Sequence, residues 1–241
     1  MMDITFLTDT LSQLLEALPT TLKLFALSSA CGGLLALGLT WMRFSRITVL
    51  VQFARAYVFV FRGSPLMIQM FLVFYGVGQF DAVRESLFWP VMRDPFFCAV
   101  ISLMLCTAGY TAEIFRGGVL AVPAQQIEAG RACGMSGLLL LRRVIVPIAL
   151  RQVLPSYSTE LVLMMKSTAL ASLVTVWEMT GVAQRIISHT YRTMEVFMCA
   201  AAIYLVLNFI IVRLMSLLEY RLSPHLRAMP STPLYSPNLV S

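Results

Sequence analysis

Long apolar runs separated by short polar segments dominate this chain. Four runs contain no charged residue: 24–42, 63–80, 96–112 and 196–212. A transmembrane helix needs about 20 mostly apolar residues, so these runs predict four membrane spans. A fifth run, 152–177, is apolar overall but contains Glu160 and Lys166. Without a span here, residues 113–195 would form an unusually long apolar loop, and we therefore predict five spans.

The predicted fold is an all-α membrane protein whose transmembrane domain covers residues 20–222. Its five spans are expected at about 20–42, 54–79, 96–117, 150–177 and 195–217, with a polar loop helix at about 124–137. Residues 1–19 precede the first span and could form a short interfacial helix. Residues 223–241 contain several prolines and few large apolar residues, which indicates a flexible tail.

The basic residues predict how the chain is oriented. Lys and Arg concentrate in cytoplasmic loops of membrane proteins. The five spans assign eleven of them to one side: Arg43, Arg46, Arg55, Arg116, Arg131, Arg142, Arg143, Arg151, Arg213, Arg221 and Arg227. The other side receives Lys23, Arg84, Arg93, Arg185 and Arg192. We therefore expect a periplasmic N-terminus and a cytoplasmic C-terminus.

Composition excludes several functional classes. The chain is 59% hydrophobic and only 12% charged, which requires a lipid bilayer as solvent. Its formal net charge of +6 is distributed between apolar spans and forms no basic stripe, so nucleic acid is not an expected partner. The sequence contains no phosphate-binding loop, HExxH or GxSxG motif. A transporter, a channel and a membrane scaffold remain.

A polar, glycine-rich segment interrupts the apolar pattern in the largest predicted cytoplasmic loop. Pro123 is suited to the first turn of a helix, on which Ile127, Arg131 and Met135 would share one face. Small residues occupy much of the remaining surface: Ala129, Gly130, Cys133, Gly134 and Gly137. Small residues allow another protein surface to approach closely. A helix lying on lipid headgroups is the alternative that this local pattern leaves open.

This segment resembles the EAA signature of ABC importer permeases. The signature consists of EAA, three residues, Gly, nine residues, Ile, one residue and Leu-Pro. The corresponding residues here are Glu128, Ala129, Gly130, Gly134, Val144, Val146 and Pro147, with the spacing kept throughout. Gly130 replaces an alanine, and two valines replace isoleucine and leucine.

The resemblance extends over roughly residues 20–222. Segments FRGSPLMIQ, YTAEIFRGGVLAVP, ALRQVLPSYSTE and LMMKSTALASLVTV are similar to polar amino acid uptake permeases, which include histidine, arginine, glutamine and opine systems. Within them the chain most resembles the M-type subunit of basic amino acid and opine systems, which implies an importer for polar, basic amino acids or opines. The resemblance implies the five-span core of a type I importer permease in a bacterial inner membrane. It further implies a second permease subunit, homologous or identical, two ATPase subunits that bind the ATP, and a periplasmic substrate-binding protein. No cofactor of the chain's own is expected.

In such permeases the loop helix is a coupling helix that docks into a groove of the ATPase. The resemblance therefore assigns coupling to Ile127, Glu128, Ala129, Gly130, Arg131, Gly134 and Met135. The runner-up hypothesis is a channel or scaffold with an unrelated cytoplasmic partner.

Charged residues inside a span mark a translocation path or a protein interface. Glu160, one turn before Met164, is predicted to line the path and attract a cationic or amino group. A structural ion pair across the interface between subunits is the alternative, and for Lys166 it is the favoured one. Family members often have Ser-Asn-Glu where this chain has Ser-Thr-Glu at 158–160, so their substrate contacts do not transfer directly.

The FRGSP segment is the second path candidate. Gly63 and Pro65 weaken helical hydrogen bonding, and Arg62, Ser64 and Gln69 supply polarity beside such a break. A kink that only shapes packing is the alternative. Tyr110 and Glu113, which end the third predicted span, are interpreted as interfacial anchors.

Overall fold

The computed structural model describes residues 4–222 as a bundle of helices. The α-helices are α1 (Ile4–Arg43), α2 (Thr48–Gly63), α3 (Leu66–Phe71), α4 (Asp81–Arg84), α5 (Trp89–Met92), α6 (Pro95–Leu120), α7 (Ala124–Ala132), α8 (Gly137–Leu140), α9 (Val146–Ser167), α10 (Met179–Thr190) and α11 (Thr193–Leu222). Wider π turns cover Leu72–Gly76 and Leu141–Ile145, and tighter 3-10 turns cover Val77–Gln79 and Thr168–Val174. The predicted flexible tail, 223–241, lies outside the described residues.

The helices fit an all-helical membrane protein. Within residues 4–222, three helices are long and apolar enough to cross a bilayer: α1, α6 and α11. A fourth candidate consists of α2 and residues 66–79, bent by 104°. Helix α9 does not join this group because it contains Arg151, Glu160 and Lys166. The all-helical class is thus confirmed, and the fifth span and the orientation remain predictions.

Helix α1 is longer than its predicted span. It runs through 40 residues without interruption, about 60 Å at 1.5 Å per residue. The sequence-based boundary at residue 19 therefore does not coincide with a helix end. The cause is tertiary packing: Leu14 is fully buried and clusters with Met179 of α10 and Val196 of α11. A short N-terminal helix would leave these apolar residues without that cover.

Helix α6 lies at the centre of the bundle, where glycines at its crossings allow close approach. A Cβ on Gly32 of α1 would lie 2.3 Å from Thr107 Cγ2. A Cβ on Gly118 of α6 would lie 2.3 Å from Val153 Cγ2 of α9. Both distances are shorter than any van der Waals contact, so these two helix crossings require glycine.

The outer surface is apolar. Leu34 and Trp41 of α1 are 70% and 67% exposed, and Leu205 of α11 is 69% exposed. Such side chains recur along both helices, which are far too apolar on their outer faces for contact with water. Lipid or a second protein subunit covers these faces.

Candidate translocation path and coupling loop

The buried side-chain amide of Gln69 forms hydrogen bonds at the helix break in the FRGSP segment. After Gly63 the chain becomes extended at Ser64, which has φ −107° and ψ 145°. The Gln69 Nε2 atom lies 2.9 Å from the Phe61 carbonyl oxygen, 3.0 Å from the Ser64 carbonyl oxygen and 2.9 Å from Ser64 Oγ. Gln69 thereby supplies donors to backbone carbonyls that a continuous helix would have satisfied. Ser64 and Gln69 stabilise the break, whereas the Arg62 side chain points elsewhere.

Glu160 is a buried carboxylate between α6 and α9. Its Oε1 atom accepts a hydrogen bond of 2.6 Å from Thr107 Oγ1. Glu160 and Met164 line a cavity of about 250 Å³ together with Leu103, Cys106 and Thr107. The cavity is large enough to hold several water molecules or part of a small solute. One carboxylate facing an otherwise mostly apolar cavity favours a cationic or amino group as its occupant.

Sequence analysis did not identify Thr107. Its methyl group lies against Gly32 of α1, where a Cβ would clash, and its hydroxyl faces Glu160. Gly32 of α1 leaves room for the Thr107 methyl group. The Thr107 hydroxyl can therefore point toward Glu160 of α9. No local pattern could reveal this, because the three residues come from three helices.

Lys166 does not belong to the same cavity. It is exposed, and it forms no ion pair with Glu160 among the described residues. The six-residue separation places the two side chains on different faces of α9, as the helical period requires. Glu160 therefore contacts a neutral hydroxyl rather than a basic partner.

Arg62 and Tyr110 lie where α2 meets α6. The Arg62 guanidinium carbon is 5.1 Å from the centre of the Tyr110 ring, a cation–π geometry. Both residues line two further cavities, of about 370 Å³ and 480 Å³. The smaller of these two is bounded by α6 and α9, and the larger by α2 and the end of α1.

Glu113 forms an ion-pair cluster at the same end of the bundle. Its Oε1 lies 3.2 Å from Arg43 Nη1 of α1, and its Oε2 lies 2.7 Å from Arg116 Nη2. The three side chains are partly buried, with exposed fractions of 16% for Arg43, 18% for Glu113 and 31% for Arg116, and the cluster connects α1 to α6. Glu113 therefore holds two helices together, which the interfacial-anchor interpretation did not include.

The coupling loop is a short helix closed by a glycine. Helix α7 starts after Pro123 and ends at Ala132, so the helix predicted for 124–137 is shorter than expected and Met135 lies beyond it. Gly134 has φ +79°. The Met135 N–H donates to the Gly130 carbonyl at 3.0 Å, and the Gly134 N–H donates to the Arg131 carbonyl at 2.9 Å. This pair of bonds is the Schellman motif, which requires a left-handed residue at Gly134.

The EAA spacing has a packing explanation inside this chain. A Cβ on Gly130 would lie 2.7 Å from Leu140 Cδ1 and 3.4 Å from Val144 Cγ2. Gly130 is buried in this contact and does not reach the exposed face of α7. Glu128, Ala129, Arg131 and Gly134 are exposed, whereas Ile127 and Met135 are partly buried. Gly130 thus holds α7 against the segment that leads into α9.

Glu178 is a second buried carboxylate that sequence analysis missed. It is fully buried at the start of α10. Its Oε1 accepts from the Gly181 N–H at 2.8 Å, and its Oε2 accepts from the Tyr204 hydroxyl of α11 at 3.0 Å. The adjacent Met179 N–H donates to Thr21 Oγ1 of α1 at 3.1 Å. These bonds fix α10 to both neighbouring helices.

Comparison with known proteins supports the arrangement. Residues 28–224 match the family described as "Binding-protein-dependent transport system inner membrane component". The chain is 53% identical over 225 residues to the octopine transport system permease protein OccM of Rhizobium radiobacter, covering 93% of this chain and 92% of the relative. It is 41% identical over 172 residues to the arginine ABC transporter permease protein ArtM of Escherichia coli K12, covering 71% and 77%.

A solved structure has the same fold. The crystal structure of an amino acid ABC transporter with histidines matches with a TM-score of 0.81 and 32% identity, covering 92% of this chain and 99% of that one. The matched regions include the helix break, the Glu160 cavity and the loop helix α7. The similarities therefore exclude the runner-up hypothesis of a channel or scaffold with an unrelated partner. The chain belongs to the inner membrane components of binding-protein-dependent transport systems, as an ABC transporter permease and not as the ATPase.

Proposed function

We propose that the chain is the permease subunit of an ATP-driven importer for opines and basic amino acids in a bacterial inner membrane. The observation that carries the proposal is the 53% identity to an octopine permease over nearly the whole chain. The arginine permease relative and the amino acid transporter structure support the same substrate class. Such substrates carry carboxylates together with a cationic or amino group.

The Glu160 cavity is proposed as part of the translocation path. Its single carboxylate is buried, hydrogen-bonded to a neutral hydroxyl and not paired with Lys166. A buried carboxylate that forms no ion pair is costly unless a cation arrives during function. The substrate's cationic group is the counter-ion that we assign to it.

Helix α7 is proposed as the surface that receives force from the ATPase. Its Glu128 and Arg131 side chains are exposed, and neither forms an ion pair with another described residue. Gly130 and the Schellman turn connect α7 rigidly to the start of α9, which carries Glu160. A displacement of α7 would therefore be transmitted to the helix that lines the cavity.

The assembly requires further subunits. A binding-protein-dependent system contains an ATPase and a binding protein. We propose two ATPase copies, one periplasmic binding protein and a second permease, homologous or identical, with five spans per permease and the N-terminus in the periplasm. The exposed apolar faces of α2, including Phe53 and Phe59, are available for that second permease.

The function is tested by uptake in vesicles that contain the permease pair and the ATPase, with the binding protein supplied. We expect ATP-dependent accumulation of labelled octopine or arginine, and no accumulation when ATP is replaced by a non-hydrolysable analogue.

Glu128→Lys should abolish uptake and ATPase stimulation, while Glu85→Lys, a reversal at another exposed carboxylate, should preserve both. Accumulation of neither substrate by the intact assembly would refute the substrate class, and normal uptake by Glu128→Lys would refute the coupling role.

A further inference from the structure

Tyr110 borders every cavity described above. It lines the 250 Å³ cavity that contains Glu160, the 370 Å³ cavity between α6 and α9, and the 480 Å³ cavity beside Arg43 and Arg55. Arg62 lines the latter two cavities but not the first. The Tyr110 side chain is thus a wall shared by the Glu160 cavity and two larger spaces near the Arg43–Glu113–Arg116 cluster.

Two contacts hold this wall in place. The Arg62 guanidinium carbon lies 5.1 Å from the Tyr110 ring centre, and the Tyr110 hydroxyl donates to the Arg62 carbonyl over a long 3.5 Å. Gly109 lies beside this contact, where a Cβ would be at ordinary van der Waals distances of 3.4 Å from Arg62 Cγ and 3.6 Å from Phe61 Cβ. A cation–π contact and a long hydrogen bond are weak compared with a buried ion pair, so the wall can open without breaking the bundle.

Arg62 lies beside the helix break. It lies in the last turn of α2, directly before the 104° bend. No carboxylate among the described residues forms an ion pair with it, although Glu160 and Glu113 are both close enough to interact through space. A shift of the α2 end relative to α6 would therefore separate the guanidinium from the ring without leaving a broken ion pair. Bent helices that line a cavity commonly serve such motions.

We propose that Tyr110 and Arg62 form a gate between the Glu160 cavity and the cytoplasmic side of the path. The ring obstructs the passage, and the guanidinium holds the ring in the closed position. This proposal rests on the proposed function in two respects: the Glu160 cavity belongs to the path, and the proposed orientation places the Arg43–Glu113–Arg116 end of the bundle on the cytoplasmic side. Tyr110 acts by its position and does not bind the substrate in this scheme.

Cys106 provides a reporter, because it lines the Glu160 cavity and is partly buried. The complete importer is prepared in inside-out vesicles with Cys31 and Cys133 replaced by Ser and Cys98 and Cys199 by Ala. The rate at which a membrane-impermeant methanethiosulfonate modifies Cys106 is then measured. Tyr110→Ala should accelerate modification by about tenfold or more, because it removes the obstructing ring itself and not only the cation–π contact that holds the ring closed.

Matched variants distinguish the opening of a gate from a general destabilisation of the helix packing. Tyr110→Phe keeps the ring and should react within about twofold of the parent, whereas Arg62→Gln frees the ring and should react several-fold faster. In spheroplasts, where reagent meets the opposite face, none of the variants should accelerate modification. Equal rates for Tyr110→Ala, Arg62→Gln and the parent would overturn the gate, and so would acceleration from both faces.

The labelling result is independent of the substrate. Faster modification in Tyr110→Ala without uptake of octopine or arginine by the parent would leave the gate standing and refute the substrate class. Normal uptake by the parent with unchanged labelling in all variants would support the substrate class and refute the gate. If Tyr110→Ala fails to accumulate in the membrane, Arg62→Gln alone decides, because it leaves the ring and its packing in place.

Discussion

At the scale of single residues, the Glu160 carboxylate and the Thr107 hydroxyl form the polar centre of the proposed path. Glu160→Gln keeps the shape but removes the charge, so uptake of a cationic substrate should fall about tenfold or more, the factor expected for losing a charged hydrogen bond. Thr107→Val keeps the methyl group against Gly32 and should cause a smaller loss. Initial uptake rates measure both, with Lys166→Gln as a control at an exposed position. An unchanged rate in Glu160→Gln would remove its proposed role.

Gly134 yields a second prediction at this scale. It has φ +79°, and a Cβ there would meet no atom within 4 Å, so only the backbone opposes substitution. Gly134→Ala should destabilise the loop by about 1 kcal/mol and weaken ATPase stimulation, whereas Gly134→Asn should retain most of it, because Asn tolerates this conformation better. ATPase assays with the reconstituted importer check this. Equal losses in both variants would indicate that the docking partner, rather than the backbone, requires glycine.

At the scale of elements, short helices are held by side chains from longer ones. Helix α10 depends on Glu178, which accepts hydrogen bonds from Gly181 and from Tyr204 of α11. Glu178→Ala removes the cap and leaves the buried Tyr204 hydroxyl with one partner fewer, which should cost about 2 kcal/mol of stability. Tyr204→Phe should cost about half as much. Thermal unfolding in detergent measures both, with Glu85→Ala as the exposed control; an unshifted midpoint in Glu178→Ala would contradict this role.

At the scale of the whole molecule, the proposed orientation assigns each loop to one face of the membrane. The native Cys133 is exposed beside α7, and the Ser86→Cys substitution would place a thiol between α4 and α5. The proposed topology predicts that an impermeant thiol reagent modifies Cys133 only in inside-out vesicles. The thiol introduced by Ser86→Cys, in a chain with Cys133 replaced by Ser, should react only in intact spheroplasts. Labelling of Cys133 in intact spheroplasts would contradict the proposed orientation and indicate the opposite one.

Several features could be predicted from the sequence because their signals are local. Uncharged runs of 17 to 19 residues predicted the long helices α1, α6 and α11. Gly63 and Pro65 predicted a weakened helix, and the chain does become extended between them. Pro123 and the EAA spacing predicted a loop helix before α9, although its end was expected at residue 137 and the helix ends at Ala132, before Gly134.

Other features escaped prediction because they depend on residues far apart in the chain. The length of α1 follows from contacts of Leu14 with α10 and α11, which no local pattern contains. Tyr110 and Glu113 have the composition of interfacial anchors, yet their roles depend on Arg62 of α2 and Arg43 of α1. Glu178 gave no signal at all, since a lone carboxylate after an apolar run is indistinguishable from a loop residue.

The sequence by itself determined that this chain is a helical membrane protein with a polar loop helix, and its motif spacing indicated the permease family. Hydropathy and helix-ending residues act over a few helical turns, so the local sequence is enough to predict the helices that they specify. Only the tertiary structure decided that Gly32, Thr107 and Glu160 form one contact, and that Tyr110 lines three cavities. Those relations require helices to cross at particular heights and rotations, which side-chain packing fixes after the chain has folded.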